Sequence, residues 1–350
     1  MKKTFKTLFV LVFASLALVS CSRAPVKTKN PNPLSLWNDT APAKKALTEY
    51  MNAVTNEKSA DFIPVKDRVA VFDLDGTLFC ETDPIYFDWI LYTQRVLDDE
   101  NYKGRATEEQ IALANDLREA MKTRNLSEDL EDRHADLMPQ LFKGFTVEEF
   151  KDYVRAYKKQ DTPGYKNMKR GEAFYEPMKE VVNYLVENDF TVYICSGTDR
   201  ITVRTQVEDV LPIDESHVIG TDNTLVATAQ GDTDGLEYVF TKDDDVVLGG
   251  KPIVKNIKMN KVSVIAQEIS RKPVLSFGNS SGDASMANYV INKNKYKAAA
   301  FMLLCDDTER EYGNIAKANK MKADCQKNGW IPVSMHDDWK TIYKTGVEKK

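Results

Sequence analysis

What most constrains the fold is an alternation. From Arg68 onward, apolar runs of strand length alternate with stretches of helical periodicity. The runs are 69–72, 190–195, 218–220, 274–277 and 298–304. An unbroken valine-rich run such as Val69-Ala70-Val71-Phe72 reads as a buried strand. Between the runs lie patterns such as Pro177-Met178-Lys179-Glu180-Val181-Val182-Asn183-Tyr184-Leu185, with a proline suited to a first helical turn. Alternation of this kind predicts an α/β fold with a doubly wound, mostly parallel sheet.

Two gaps interrupt it. The stretch between the first two runs is too long for one crossover, and residues 82–171 carry helices of their own. Thr107-Glu108-Glu109-Gln110 and Thr146-Val147-Glu148-Glu149 are capping boxes, each ahead of apolar residues at helical spacing. This block reads as an inserted helical cap. Residues 221–250 hold short polar strands broken by Asp-Asn, Gly-Asp and Asp-Gly turns, which predicts a small β-hairpin insertion. The core is then 36–81 and 172–350, opening near Trp37 with a helix through Ala46, Leu47, Tyr50 and Met51. There is no internal repeat.

The first strand ends in Asp73-Leu74-Asp75-Gly76-Thr77, and Gly76 turns the chain. Three further stations follow. Tyr193-Ile194-Cys195-Ser196-Gly197-Thr198 is a strand running into a hydroxyl and a glycine. Gly249-Gly250-Lys251-Pro252 places a lysine in a tight loop. Ser276-Phe277-Gly278-Asn279-Ser280-Ser281-Gly282-Asp283 is a strand running into a polar, acidic turn. Strand carboxyl ends share one edge of a parallel sheet, so three of these stations can meet there. Taken singly, each has a plainer reading: a solvated turn or calcium loop for Asp73 and Asp75, a helix cap for Ser196, a surface lysine for Lys251. Together they supply what phosphoryl transfer needs: an attacking oxygen, a second carboxylate to move a proton, donors for phosphate oxygens and ligands for a divalent cation. Carboxylate oxygens suit Mg²⁺.

In this order, Asp-x-Asp-Gly-Thr, strand-Ser-Gly-Thr, Lys and Gly-Asn-x-x-Gly-Asp, the chain resembles the haloacid dehalogenase superfamily. Within it the chain is similar to the phosphoserine phosphatase-like and phosphorylcholine phosphatase-like branch. Leu36-Trp37-Asn38-Asp39, Phe174-Tyr175-Glu176-Pro177-Met178 and Val333-Ser334-Met335-His336-Asp337-Asp338-Trp339 resemble an exported bacterial group of that branch. The resemblance implies a Rossmannoid core and Mg²⁺-dependent hydrolysis of a small phosphomonoester. Asp73 is then the nucleophile that becomes an aspartyl-phosphate, and Asp75 the general acid and base, with its carbonyl facing the metal. Ser196, Gly197 and Lys251 bind the phosphoryl group, and Asp283 is a metal ligand with Asp73. Many relatives carry an acid where Asn279 stands. An amide oxygen still ligates Mg²⁺, but without charge. Glu81, at the hinge into the cap, lies one residue from the place where an acid contacts the substrate amine. An amine-bearing substrate is therefore an expectation attached to Glu81. Phe79, Tyr86, Phe87 and Trp89 nearby fit either a cage for a quaternary amine or packing between cap and core. A phosphotransferase with the same intermediate, and a binding lipoprotein of the same fold without catalysis, stay open.

The amino-terminal stretch has a different character. Lys2, Lys3 and Lys6 precede an apolar run over 8–18 that is too short for a lasting membrane helix. Leu18-Val19-Ser20-Cys21 resembles a bacterial lipoprotein cleavage box. That implies a signal peptide over 1–20, lipidation of Cys21, a tether over 21–35 and a lipid-anchored place in the bacterial cell envelope. An ordinary signal peptide with an incidental cysteine is the alternative. Losing residues 1–20, with three lysines and no acids, takes the formal charge from −5 to −8. Such a charge argues against nucleic acid as a partner. The other partners expected are the small phosphomonoester and the bilayer that holds the anchor. Cys305 and Cys325 are placed to close a disulfide loop or to stay free thiols; Cys80 and Cys195 read as packing residues.

Overall fold

The structure is a computed structural model and describes residues 30–124, 126–127 and 129–350. The stretch expected to be a signal peptide, and Cys21, lie outside the described residues. In chain order the elements are α1 Pro42–Thr55, β1 Val69–Phe72, α2 Phe87–Leu97, α3 Glu108–Thr123, α4 Asp129–Leu137, α5 Val147–Lys158 and β2 Tyr165–Lys166. Then come α6 Glu176–Glu187, β3 Thr191–Asp199, α7 Arg200–Val207, β4 Val218–Ala227, β5 Val246–Val254, α8 Met259–Glu268 and β6 Leu275–Gly278. The chain continues through α9 Ala284–Ile291, β7 Ala299–Leu304, α10 Ile315–Asn328, β8 Ile331–Ser334 and β9 Glu348–Lys349.

Among the described residues the main sheet has seven strands in the order β5-β4-β3-β1-β6-β7-β8. All neighbours are parallel except β4 and β5. The first strand in the chain is thus central in the sheet. Ala70 and Phe72 join a core with Leu47, Val181 and Leu185, while Val69 and Val71 join one with Ile219, Ile265 and Val290. Burial on both faces explains the unbroken apolar runs. Phe72, Phe277 and Phe301 stack across three strands with centroids 4.3 and 5.0 Å apart.

The hairpin expected over 221–250 is the antiparallel pair β4 and β5, but β4 is longer than expected. Its first residues pair with β3 and the rest continue outward to meet β5. Asp244, in the acidic run of the loop between them, accepts from Thr228 and Tyr238 hydroxyls and the Ala229 and Thr241 amides, so it ties the loop together. The tether expected to reach residue 35 ends earlier. Leu34 is 2 % exposed within the core, and the Ser35 hydroxyl donates to Glu180 at 2.5 Å.

Between β1 and α6 the chain forms α2 to α5. Thr107 and Thr146 make the expected capping boxes for α3 and α5. The segment leaves and returns side by side: Cys80 N–H donates to Ala173 O, and Tyr175 N–H to Leu78 O, both at 2.9 Å. A buried acid closes this base. Glu311, 1 % exposed, accepts the hydroxyls of Thr82, Tyr165 and Tyr343, with Tyr165 at 2.7 Å. Among the described residues Cys80, Cys195, Cys305 and Cys325 are all free thiols, so Cys305 and Cys325 are unpaired with each other. No helix among those residues is long and apolar enough to cross a membrane.

Candidate active site

β1 hands its chain directly to the site. Asp73 N–H donates to Phe277 O at 2.9 Å, which keeps its backbone in the sheet. The chain then turns tightly, with Leu78 N–H on Leu74 O at 2.8 Å and Gly76 at φ +75°. A Cβ at Gly76 would stand 1.9 Å from Asn279 Nδ2, so both the angle and the close approach require glycine. β3 extends past its apolar run with a register shift between Cys195 and Asp199, which pushes Ser196, Gly197 and Thr198 out as an irregular end. Gly197 O accepts the Thr221 hydroxyl at 2.6 Å and Lys255 Nζ at 3.0 Å, and Ser196 O accepts Asn256 Nδ2 at 2.9 Å.

Three carboxylates and one ammonium meet here. Lys261, near the start of α8, is 2 % exposed and donates through Nζ to Asp73 Oδ1 and Asp283 Oδ1, both at 2.6 Å. Asp283 Oδ2 accepts the Asn279 and Ser280 amides and the Ser280 hydroxyl, each at 3.1 Å. Asp75 Oδ2 accepts the Thr198 hydroxyl at 2.8 Å, and its Oδ1 is buried with no partner among the described residues. Burial raises the Asp73 carboxyl above its ordinary value, and the Asp283 charge adds to this while Lys261 opposes it. Asp75 is raised well above the ordinary range by burial, then by Asp88 and Asp73, against the Thr198 hydrogen bond. Burial works against the Lys261 charge, yet Asp283 and Asp73 hold its pKa above the ordinary value.

These groups open onto a cavity of about 410 Å³. Its floor is Asp73, Asp75, Gly197, Thr198, Lys261 and Asp283. Its far wall comes from the helical segment, through Tyr86, Asp88, Trp89 and Glu131, and one side from α10, through Lys317 and Lys320. Burial raises the Asp88 carboxyl to about 6, against the pull of Lys255. His134 is packed beneath this wall and lies outside the cavity. Its ring is 5.6 Å from those of Trp89 and Tyr92, and burial lowers its pKa to about 3.

The expected site residues fare differently. Asp73, Asp75, Gly197 and Asp283 converge on the cavity. Lys251 does not. It sits in β5, with its side chain exposed and its amide on Thr224 Oγ1 at 3.1 Å, and Lys261 holds the place expected for it. Gly249 and Gly250 belong to an edge strand and not to a loop at the sheet's carboxyl end, so Lys251 is carried away from the cavity. Ser196 is fully buried and its Oγ accepts Thr198 N–H at 3.1 Å; the residues of this turn that line the cavity are Gly197 and Thr198. Asn279 does not line the cavity. Its Oδ1 accepts the Thr77 hydroxyl at 3.5 Å and its amide packs on Gly76. Glu81 lines the cavity but is already paired with Lys317 at 2.6 Å, so the chain itself supplies the cation expected from a substrate amine. Of the aromatic group, Phe79 and Phe87 pack against each other and against Phe174 and Tyr157, while Tyr86 and Trp89 face the cavity.

Lys261, Thr198 and Asp88 are missed by sequence reasoning. For Lys261 a signal exists: it shares a helix face with Val264 and Ile265, a lysine at a buried position. Asp88 has none beyond its place in the first turn of α2.

A family model for haloacid dehalogenase-like hydrolases matches residues 70–288, which span the whole constellation from Asp73 to Asp283. The chain belongs to the haloacid dehalogenase-like hydrolase family. Curated sequences offer no match to this hydrolase. Solved structures similar to it include a protein of unknown function from Bordetella pertussis Tohama I, at 15% identity and a TM-score of 0.48, covering 76% of this chain and 97% of that one. A conserved protein of unknown function from Anaerococcus prevotii DSM 20548 has 15% identity and a TM-score of 0.49, with 85% and 94% covered. Cytosolic 5′-nucleotidase IIIB bound to cytidine has 13% identity and a TM-score of 0.49, with 85% and 87% covered.

Proposed function

We propose that this hydrolase is a Mg²⁺-dependent phosphomonoesterase working through an aspartyl-phosphate on Asp73. The observation that carries the reading is the shared lysine. Asp73 and Asp283 stand on one buried ammonium, and Asp75 lines the same cavity.

The donor set fits a hard divalent cation. Two buried carboxylates sharing one ammonium leave that pair one negative charge in excess, before Asp75 is counted. Among the described residues no group of three or more His, Cys, Asp or Glu side chains is arranged to hold a metal by itself. Asp73, Asp283 and the Asp75 carbonyl are the residues that would hold Mg²⁺, an ion that keeps several waters and takes few protein ligands. When bound, it offsets the charge of the phosphoryl oxygens as the Asp73 carboxylate approaches.

The chain's own groups divide the rest. An Asp73 carboxylate oxygen attacks phosphorus, and the bond from phosphorus to the leaving oxygen breaks. Asp75, kept protonated by burial, gives its proton to that oxygen, and the alcohol departs. Water then attacks the phosphorus of the acyl phosphate while Asp75 takes its proton. Inorganic phosphate leaves and the Asp73 carboxylate is restored. Gly197, at the cavity floor, offers its amide to a phosphoryl oxygen, while the Thr198 amide is held by Ser196 Oγ. Residues 82–171 serve as the cap, whose closure excludes bulk water. Hydrolysis of p-nitrophenyl phosphate by wild type and Asp73→Asn, with and without chelator, tests the reading. Activity confined to metal-loaded wild type is expected; equal rates in all samples overturn it. The envelope location rests on Cys21 and its flanks, and loss of lipid labelling with release into the soluble fraction in Cys21→Ala is the expected result.

A further inference from the structure

Five lysines line the cavity, and one of them is left without an acid. Lys261 stands on Asp73 and Asp283, Lys317 on Glu81 at 2.6 Å and Lys320 on Asp324 at 2.8 Å, while Lys255 is 3.6 Å from Glu131. Lys258 is exposed and has no ion pair or side-chain hydrogen bond among the described residues. Its backbone is unusual as well. As the residue before α8 it has φ +52° and ψ −125°, a conformation open to glycine and costly for a residue with a Cβ. Lys258 N–H donates to Gly282 O at 2.8 Å, which holds the residue in that shape against the turn that carries Asp283. Strain retained in the wall of a reaction cavity points to a use for the residue there.

The lysines of α10 belong to the same side. Ala284, just after that turn, packs with Ala287, Ala318 and Met321, so the turn adjoins the stretch of α10 that bears Lys317 and Lys320. Lys317, Lys320 and Asp324 line the cavity over two turns of this helix, a length of about 10 Å. The row begins beside the reacting carboxylates: a Cβ at Gly76 would stand 2.6 Å from Cδ of Glu81, the partner of Lys317. An ammonium has three donors, so Lys320 keeps donors beyond its ion pair, and Lys258 keeps all of its own. The cap wall carries the acids Asp88 and Glu131. A negative group in the cavity is therefore repelled by the cap and drawn toward the start of α8.

We propose that the leaving alcohol carries a second anionic group, a carboxylate or a phosphate, which Lys258 receives while Lys320 adds to the positive field. The inference rests on the phosphomonoesterase reading and narrows its substrate class. Lys258 is on this view a specificity residue for the alcohol and takes no part in bond breaking. An amine-bearing alcohol is disfavoured, because the unpaired charge that awaits it is positive.

The test compares kcat/KM within pairs of esters: 2-carboxyethyl against 2-carbamoylethyl phosphate, 4-carboxybutyl against 4-carbamoylbutyl phosphate, and propane-1,3-diyl bisphosphate against propyl phosphate. Wild type is expected to favour the anionic member by roughly tenfold or more in at least one pair, as suits a hydrogen bond between charged groups. Raising the salt concentration should shrink that preference. In Lys258→Met it should fall to within about threefold of one, and in Lys320→Met it should fall less. Lys251→Met, which alters an exposed lysine outside the cavity, should keep it. Because each ratio is taken within one enzyme, a general loss of rate cancels, and the wild-type ratios decide even if a variant fails to fold. A Lys258→Met enzyme that keeps the preference, or that loses rate equally on both members of each pair, overturns the role of Lys258. Wild-type ratios near or below one in every pair, with p-nitrophenyl phosphate still hydrolysed, overturn this inference and leave the phosphatase reading standing. Absence of hydrolysis of every ester by wild type overturns that reading instead.

Discussion

The Thr198 hydroxyl donates to Asp75 Oδ2 across 2.8 Å, joining the end of β3 to the turn after β1. This bond holds one oxygen of the carboxyl and fixes the side chain at the cavity floor. Thr198→Val keeps the shape and removes the donor. It should lower kcat for p-nitrophenyl phosphate about tenfold, the equivalent of roughly 1–2 kcal/mol in orienting the acid, with KM little changed. Steady-state kinetics check it; an unchanged kcat would show that Asp75 needs no such support.

Lys261 and Lys251 offer a paired comparison. Lys261→Met leaves Asp73 and Asp283 buried beside each other without a cation, so activity should fall by roughly a hundredfold or more and stability by about 3–5 kcal/mol. Lys251→Met removes an exposed side chain on β5 and should leave both within about twofold of wild type. Urea denaturation and the phosphatase assay read the two effects. The reverse ranking would return the role to the glycine-flanked lysine.

His134 links the cap to pH. Burial lowers its pKa to about 3 in the folded protein from an ordinary 6.5, so between those values the unfolded chain binds a proton that the folded chain refuses. Its contribution makes stability fall as pH drops from about 6.5 toward 3. His134→Phe, which cannot titrate, should lose less stability on going from pH 6.5 to pH 4.5 than wild type does. Urea midpoints at the two pH values measure this, and parallel losses would mean that His134 is protonated as readily folded as unfolded.

Glu311 makes the base of the helical segment a chemical joint. Glu311→Leu strands the hydroxyls of Thr82, Tyr165 and Tyr343 and should cost about 2–4 kcal/mol. Tyr343→Phe removes one of the three donors and should cost about 1 kcal/mol. Denaturant titration gives both values; a milder effect for Glu311→Leu than for Tyr343→Phe would contradict the joint.

Much of the fold is legible in the sequence because strands buried on both faces leave unbroken apolar runs, and because Thr107 and Thr146 announce their helices with capping boxes. β4 is harder to read because its outer half pairs with β5 through residues such as Asn223 and Leu225 that are not buried. The carboxylates of the site follow from their places at strand ends. Its lysine does not, because a helix can carry a charged residue on its inner face when two acids await it. Gly-Gly-Lys looks like a phosphate-binding loop only until β5 pairs with β4. Asp88 is invisible in sequence: an acid in a first helical turn has an ordinary use, and its place in the cavity wall becomes apparent only from the fold.

The central place of β1 has a consequence for synthesis. Val69 has no sheet neighbour until Thr191 has been made, and Ala70 lacks its second until Leu275. Throughout that interval the nascent chain carries an apolar strand with two open edges, and the carboxylates after it have no lysine to share. Translation must pass the middle of the message for the strand's first edge to close, and α8 and β6 before the charges balance. A stalled or shortened chain therefore exposes a sticky strand instead of a weakened enzyme, and its handling in the cell becomes a matter of holding and clearance before it is one of catalysis.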